Sequence, residues 1–414
     1  MSIKINSLIN LAGYAIPTLL SIPAMGYLAR ELGITNFGFF LMFFTIVRYA
    51  SIFDLGLSRA VVREISLNKN DKKAISQIIT TSFLLTLSIG VVVSVIFYYC
   101  NHKIASLISG PEQTESVAYA ISVLSYCLPF YLLNMVCWGI LEGYEKFKLL
   151  NVQKTITGVL TALLPVIFIH GNVGLLNATL GLVIARITGA LLSVFFVFRN
   201  NRLTMDFSLS KTKSLLSFGG WASISSIINP LLTNIDRFIL SNAVGPAKAS
   251  LYIAPADAIS KLLILPTTIA RTIFPALCKN NTKDERKKII KEATLLISVT
   301  SIVISIMFSL KASDIITLWL GKQYSAESPY IFQILLVGFV FNSLAQVPFA
   351  QIQSKGYAKI TGLIHLVECI PYLLVLYFSI MYFSVAGVAY AWSARVTADY
   401  FILMLISLRL EKKK

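Results

Sequence analysis

The chain contains about twelve apolar stretches, each close to the ~20 residues that a helix needs to cross the hydrocarbon of a bilayer. Hydrophobic residues make up 56% of its 414 residues, and only 13% are charged. This composition leaves too little polar sequence for an independent soluble domain. The sequence therefore predicts an all-α polytopic membrane protein, with spans at residues 7–28, 37–57, 75–99, 116–141, 149–169, 175–198, 215–240, 250–277, 293–310, 329–350, 358–382 and 385–408.

Basic residues alternate between rich and poor connectors along the chain. Counting loops and tails, 24 Lys and Arg residues fall on one side of the predicted membrane and 5 on the other. By the positive-inside rule, this asymmetry predicts that both termini face the cytoplasm. The net charge of +17 follows from the same topology, and we expect no nucleic-acid partner because the basic residues are scattered among apolar spans.

A polar connector near residues 199–214 divides the spans into six and six. We therefore predict an N-terminal six-helix bundle, residues 1–206, and a C-terminal one, residues 207–414. An offset of 207 matches Gly38 with Gly245, and an offset of 209 matches the Ala-Arg-x-Thr motif at Arg186 with that at Arg395. Six spans per half make the repeats parallel, which predicts two bundles around a central cavity and alternating access. Duplication that merely enlarges one bundle is the alternative.

Charged residues inside the spans are the candidate functional residues, because a central Arg or Lys costs about 2.5 to 3.5 kcal/mol to insert. The acidic ones are Asp54, Asp236, Asp257, Glu368 and Asp399. The basic ones are Arg48, Arg186, Arg237, Lys261, Arg271 and Arg395, with Lys154 near enough to a span end to snorkel. Basic residues outnumber acidic ones, so we predict a cationic cavity that holds an anionic substrate.

Local pairing is the competing explanation for several of these charges. In span eight, Asp257, Lys261 and Arg271 share one helical face unless Pro266 kinks the helix. Asp257 and Lys261 could instead neutralise each other at i, i+4, and Arg395 and Asp399 have the same spacing. Arg48 shares no face with Asp54, so its partner is expected elsewhere, either a substrate phosphate or a carboxylate on another helix.

One histidine and carboxylate pair suggests ion coupling. His365 and Glu368 are at i, i+3 in span eleven, which fits either a proton carrier or a hydrogen-bonded structural pair. The five cysteines form no C-x-x-C pair, and we find no P-loop, H-E-x-x-H or G-x-S-x-G motif in a fitting context. We therefore predict no catalytic residue, no cofactor and no metal site.

Short motifs lie around spans one, two, seven and eight. They are Leu28–Gly38, Asp54–Ser58, Val62–Ser66, Asp236–Leu240, Val244–Pro246, Leu251–Tyr252 and Leu265–Leu277. In these motifs the chain resembles the polysaccharide-exporter family of lipid-linked oligosaccharide flippases. Its length and twelve spans resemble the O-antigen flippases called Wzx, within the multidrug/oligosaccharidyl-lipid/polysaccharide superfamily.

The resemblance implies a non-enzymatic flippase of the bacterial inner (cytoplasmic) membrane. Its substrate would be an undecaprenyl-diphosphate-linked oligosaccharide, an O-antigen unit, moved from the cytoplasmic to the periplasmic leaflet. Membrane lipid and a glycan polymerase complex are implied as partners, while the glycan and a coupling H⁺ or Na⁺ stay open. One alternative is a cation-coupled multidrug extruder, which favours an acidic cavity. Another is a membrane glycan polymerase or transferase, which needs a longer connector than the 15 to 20 residues found here.

Overall fold

Every element of the computed structural model of the chain is helical over the residues that it describes. These are residues 3–69, 71–200, 206–278 and 282–412, with side chains described except at 3–15, 200, 218–233, 275, 276, 278, 283, 358 and 412. The helices are α1 Ile3–Tyr49, α2 Leu57–Leu67, α3 Lys72–Tyr99, α4 Asn101–Ile108, α5 Thr114–Ser125, α6 Leu128–Gly143, α7 Phe147–Ile169, α8 Leu175–Asn200, α9 Leu209–Leu262, α10 Ile264–Cys278, α11 Lys283–Leu310, α12 Ala312–Leu320, α13 Ser328–Ser354 and α14 Ala358–Lys412.

Nine helical segments within the described ranges are long and apolar enough to cross a membrane. Three of the longest helices contain a residue with non-helical backbone angles: Gly33 in α1, Gly245 in α9 and Ser384 in α14. Each break falls between two of the predicted spans. The all-α polytopic fold is thus confirmed, and twelve spans are compatible with it.

The breaks in α1 and α9 have nearly the same geometry. Gly33 has φ 73° and ψ 169°, and Gly245 has φ 81° and ψ 162°. Only glycine adopts this region without a steric penalty. The backbone therefore favours a match of Gly33 with Gly245, an offset of 212, over the sequence match of Gly38 with Gly245. In the register with an offset of 212, buried Phe40 corresponds to buried Tyr252.

A helix boundary interrupts predicted span eight. Helix α9 ends at Leu262 and α10 begins at Ile264, three residues after Lys261. Pro266 explains the boundary because it has no N–H to donate to the carbonyl of Leu262. The single polar face predicted for Asp257, Lys261 and Arg271 is therefore split between two helices.

The chain forms two compact units, an N-terminal unit, Met1–Phe238, and a C-terminal unit, Ile239–Lys414. The N-terminal unit includes the connector because polar groups fix it to α2 and α3. Gln77 donates to Asp206 at 2.8 Å, and Ser214 donates to buried Glu64 at 3.0 Å. The predicted division of the repeats at residues 206 and 207 concerns sequence duplication rather than compactness, and it stays a prediction.

Helices α2 and α6 pack at very short range in the N-terminal unit. A Cβ atom on Gly139 would come within 2.7 Å of the Ser58 carbonyl oxygen, and one on Gly143 within 2.9 Å of the Ile65 Cβ. Glycines four residues apart let two membrane helices approach in this way. The fold thus fixes the backbone of α2 at Ser58 against α6.

Candidate functional site

Two arginines from different helices lie near each other in the N-terminal unit. Arg48 lies in the last turn of α1 and Arg186 is in the middle of α8, and their guanidinium groups are close enough for the charges to repel. The Arg186 guanidinium lies over the Tyr131 ring, 5.2 Å from its centroid. We call Arg48 and Arg186 the arginine pair.

Arg186 has little to offset its charge. Its Nε is buried without a hydrogen-bond partner, and the groups that act on it electrostatically are Tyr131, Cys127 and Arg48. Among the described residues, no carboxylate forms an ion pair with it. A ring face supplies only part of the stabilisation that a buried guanidinium needs. This site is therefore electrostatically suited to an anionic group.

Asp54, predicted as a charge partner, has Arg59 nearby and a structural contact as well. Its two carboxylate oxygens accept hydrogen bonds from the Ser58 backbone N–H at 3.1 Å and from the Ser58 hydroxyl at 2.8 Å. These bonds satisfy the first turn of α2, which follows the left-handed residues Leu55 and Gly56. Asp54 therefore holds the start of α2 in place.

Asp236 and Arg237 are buried neighbours at the end of the N-terminal unit, with 2% and 3% of their surfaces exposed. The Asp236 carboxylate accepts a hydrogen bond from the Arg237 backbone N–H at 2.8 Å. Both charges act on the Tyr49 hydroxyl, which is adjacent in sequence to Arg48. The fold thus brings Asp236 and Arg237 of α9 close to the end of α1, next to Arg48 of the arginine pair.

The charged residues of α14 form a second cluster, in the C-terminal unit. The Arg395 Nε lies 3.9 Å from a Glu368 carboxylate oxygen, and the His365 Nε2 lies 3.7 Å from an Asp399 oxygen. The two carboxyl groups also interact with each other. Two acidic and two basic groups make the cluster capable of neutrality, so we call these four residues the balanced cluster.

The balanced cluster contains contacts beyond the pairing expected from helical spacing. Arg395 pairs with Glu368 and Asp399 pairs with His365, while the charge of Arg395 also acts on Asp399 at i, i+4. The break at Ser384 separates His365 and Glu368 from Arg395 and Asp399. The two parts of α14 can therefore pack side by side and form ion pairs with each other. The His365 ring also stacks on Phe349 of α13, with centroids 5.9 Å apart and planes within 4°.

The remaining predicted residues lie on either side of the boundary between α9 and α10. Asp257 and Lys261 are half-buried near the end of α9, and Arg271 is exposed on α10. Within the described ranges, no group of three His, Cys, Asp or Glu side chains is arranged to hold a metal ion.

Two tyrosines were missed by the sequence reasoning. Tyr131 lies under Arg186, and Tyr372 lies under Arg395 at 5.1 Å from the guanidinium carbon to the ring centroid. Both contacts join residues far apart in sequence, so no local motif predicts them. A buried arginine in a span could only have prompted a general search for an aromatic partner.

Comparison with known proteins identifies the family to which this chain is similar. The family model described as polysaccharide biosynthesis protein matches residues 3–281. A "Putative O-antigen transporter" of Shigella flexneri is 39% identical over 99% of both chains. The lipopolysaccharide biosynthesis protein WzxC of Escherichia coli K12 is 23% identical over 78% of this chain and 64% of its own.

Solved structures share the fold at low sequence identity. An inward-facing multidrug resistance transporter of the MATE family, in the MOP superfamily, has a TM-score of 0.82 at 16% identity and 98% coverage of both chains. The lipid II flippase MurJ in an inward closed conformation has a TM-score of 0.79 at 13% identity, over 97% of this chain and 87% of its own. These likenesses concern the fold alone. From the family match and the relative of 39% identity, this chain belongs to the polysaccharide biosynthesis protein family.

Proposed function

We propose that this protein is a flippase for an undecaprenyl-diphosphate-linked oligosaccharide, an O-antigen unit. It moves the substrate from the cytoplasmic to the periplasmic leaflet of the bacterial inner membrane by alternating access. The observation that carries the proposal is the arginine pair, a half-buried cationic site in a membrane protein of a polysaccharide biosynthesis family. The Shigella flexneri relative supports an O-antigen unit as the cargo.

A diphosphate fits the arginine pair chemically. Each guanidinium can donate two parallel hydrogen bonds to phosphate oxygens, and a diphosphate carries enough charge to offset both cations. Binding it would also relieve the repulsion between Arg48 and Arg186. The polar sugars would follow the diphosphate along a hydrated path while the polyprenyl chain remains in lipid. Of the further basic residues predicted from the sequence, Arg237, Lys261 and Arg271 belong to this proposed path, whereas Arg395 belongs to the balanced cluster.

The membrane orientation and the driving force belong to the same proposal. The excess of Lys and Arg on one side, 24 against 5, supports cytoplasmic N and C termini. His365, Glu368 and Asp399, with Asp236 and Asp257, are the candidate groups for coupling to H⁺ or Na⁺. A glycan polymerase is the proposed partner that would receive the translocated unit.

A cation-coupled multidrug extruder is the rival function, favoured by the shared fold with a MATE transporter. Such a protein needs an acidic or aromatic cavity to hold lipophilic cations. The arginine pair opposes that ligand class because like charges repel. The two functions therefore differ in the sign of charge that the N-terminal unit must accept.

The test is reconstitution of the full-length protein into liposomes with a short-chain polyprenyl-diphosphate oligosaccharide. Movement is followed as protection of the sugar from an external reagent, with and without a pH gradient. Protein-dependent protection is expected for the flippase. Absence of protection, together with gradient-driven efflux of a lipophilic cation from the same vesicles, would contradict the proposal and favour the extruder.

A further inference from the structure

Two short helices, α4 and α12, each follow a long apolar span. The spans α3 and α11 are both 28 residues long and begin at Lys72 and Lys283, which are 211 residues apart. Helix α4 begins at Asn101 and α12 at Ala312, again 211 residues apart. The backbone breaks in α1 and α9 differ by a similar offset, 212. The two short helices therefore occupy corresponding positions in the two units.

The side chains of α4 and α12 have the same arrangement around the helix axis. At ~100° per residue, each helix has a buried side, an apolar side that is wholly or partly exposed, and a polar side, in the same order. The apolar sides are Ile104 and Leu107 in α4, and Ile315 and Leu318 in α12. The polar sides are His102, Lys103 and Ser106 in α4, and Ser313, Asp314 and Thr317 in α12. Both helices are thus amphipathic in the same register.

Exposed apolar side chains lie on both sides of the junction between each span and its short helix. Tyr99 ends α3 with 80% of its surface exposed, and Leu310 ends α11 with 79%. Leu107 in α4 is 57% exposed, and Leu318 in α12 is 79% exposed. Exposed leucine, isoleucine and valine side chains also occur along α3 and α11, as expected for helix faces that contact lipid hydrocarbon. The apolar surface that these spans present to lipid thus extends onto the short helices.

The buried side of each short helix packs against the helix that follows it. Helix α4 contacts α5 and helix α12 contacts α13, with Ala105 and Ile316 buried. In the predicted topology, spans three and nine end on the periplasmic side. The short helices therefore begin where the hydrocarbon of the bilayer meets the headgroups, which is the depth at which amphipathic helices bind membranes. An apolar side next to a polar side suits this boundary, because acyl chains and hydrated headgroups meet there.

We infer that α4 and α12 are interfacial helices that bind the periplasmic leaflet of the membrane. Leu107 and Leu318 insert among the acyl chains, while His102 and Ser313 face the headgroups and water. Phospholipid is the occupant because the apolar sides continue the lipid-facing surface of two spans and recur at the same position in both units. Each short helix thus fixes the depth of the periplasmic end of its span, whichever substrate the protein carries.

The test is photo-cross-linking of the full-length protein in liposomes of phosphatidylcholine with radiolabelled acyl chains. The photoreactive residue p-benzoylphenylalanine replaces Leu107 or Leu318, and in matched controls it replaces His102 or Ser313. Each control position is exposed and lies ~140° around the same helix from the leucine. After irradiation, we expect the leucine positions to carry at least about fivefold more lipid label than the controls, because only they reach the acyl chains.

Three outcomes would overturn the inference. Equal lipid labelling at the apolar and polar positions would show that neither side of the helix is oriented towards the acyl chains. Labelling at one short helix and not at the other would contradict the assignment of a pair. A cross-linked dimer in place of the lipid adduct would make the apolar sides a contact between copies of this chain. A thermal unfolding midpoint within about 3 °C of the parent confirms that each variant is folded.

A second measurement uses a conservative variant, since p-benzoylphenylalanine is larger than leucine. Trp319 follows Leu318 and is half-buried at the edge of the apolar side of α12. Tryptophan fluorescence of the parent and of Trp319→Phe is compared in phosphatidylcholine that is brominated either near the headgroup or deep in the acyl chain. For the signal that is lost in Trp319→Phe, we expect stronger quenching by the shallow bromine than by the deep one. Stronger quenching by the deep bromine, or no quenching by either lipid, would contradict the inference for α12.

Discussion

The two units place an arginine over a tyrosine ring in the same sequence motif but in opposite electrostatic surroundings. Arg186 and Arg395 both occur in Ala-Arg-x-Thr, and each guanidinium lies about as far from its ring centroid, 5.2 and 5.1 Å. Arg395 has Glu368 at 3.9 Å, with Asp399 and His365 beside it. Arg186 has Arg48 as its charged neighbour. The C-terminal unit thus balances its arginine, while the N-terminal unit adds a second cation.

This difference separates a structural role from a binding role. Burying a charge without its partner is costly, and removing one partner of a buried ion pair leaves the other uncompensated. The balanced cluster therefore contributes to the integrity of the C-terminal unit. In the arginine pair, Arg186 has no such balance from the described carboxylates, and an uncompensated charge of this kind is retained where a ligand with the opposite charge offsets it.

The largest expected effect is on stability in the C-terminal unit. Arg395→Gln leaves Glu368 and Asp399 with only His365 to balance them, so the free energy of unfolding should fall by about 3 kcal/mol. The measurement is the thermal unfolding midpoint of the purified protein in detergent. The double variant Arg395→Gln/Glu368→Gln should regain most of the loss. A double variant no more stable than the single one would break the assignment of the cluster as balanced.

The next effect concerns the arginine pair and has the opposite pattern. Arg186→Gln removes a buried cation that has no carboxylate partner, so stability should stay the same or rise by up to about 1 kcal/mol. Translocation should fall at least about tenfold, which is the loss of one charge-assisted contact to the diphosphate. Unfolding and translocation are measured on the same preparation. A loss of stability as large as that of Arg395→Gln would remove the contrast between the units.

The smallest effect comes from the rings. Tyr131→Leu removes the cation–π contact of Arg186, worth about 1 kcal/mol, and no carboxylate among the described residues forms an ion pair with that arginine. Tyr372→Leu should cost less, because Glu368 still stabilises Arg395. The two unfolding midpoints are compared directly, since both changes remove one ring of the same kind. Equal losses of stability in the two variants would show that burial of the ring, rather than its contact with the arginine, determines stability at both sites.

The sequence predicted the fold class because apolar length alone determines which segments can span a bilayer. It also located the charged residues, since a charge in a span is conspicuous. It could not pair them, because Arg395 has an acid at helical spacing, Asp399, and yet meets Glu368 across the break at Ser384. The sequence match of Gly38 with Gly245 likewise took no account of backbone conformation. Gly33 and Gly245 have similar backbone angles, and the amino-acid sequence alone does not give those angles.

The cavity between α2, α6 and α7 could not be predicted from the sequence either. Lys154 was interpreted as a snorkelling residue, and Arg59 as one of many basic residues in a connector. What unites them is the packing of α2, α6 and α7, which depends on Gly139 approaching Ser58. The Gly139 and Gly143 spacing was the available signal, because it predicts a close helix contact without naming the partner helix.

The most direct test of the contrast between the units is substrate exchange in proteoliposomes without a pH gradient, comparing Arg186→Gln with Arg395→Gln/Glu368→Gln. The first variant removes a cation from the arginine pair, and the second removes one charge of each sign from the balanced cluster. We expect exchange of the short-chain polyprenyl-diphosphate oligosaccharide to fall at least about tenfold in the first and to stay within about threefold of the parent in the second. Normal exchange in Arg186→Gln, with loss in the double variant, would contradict the account.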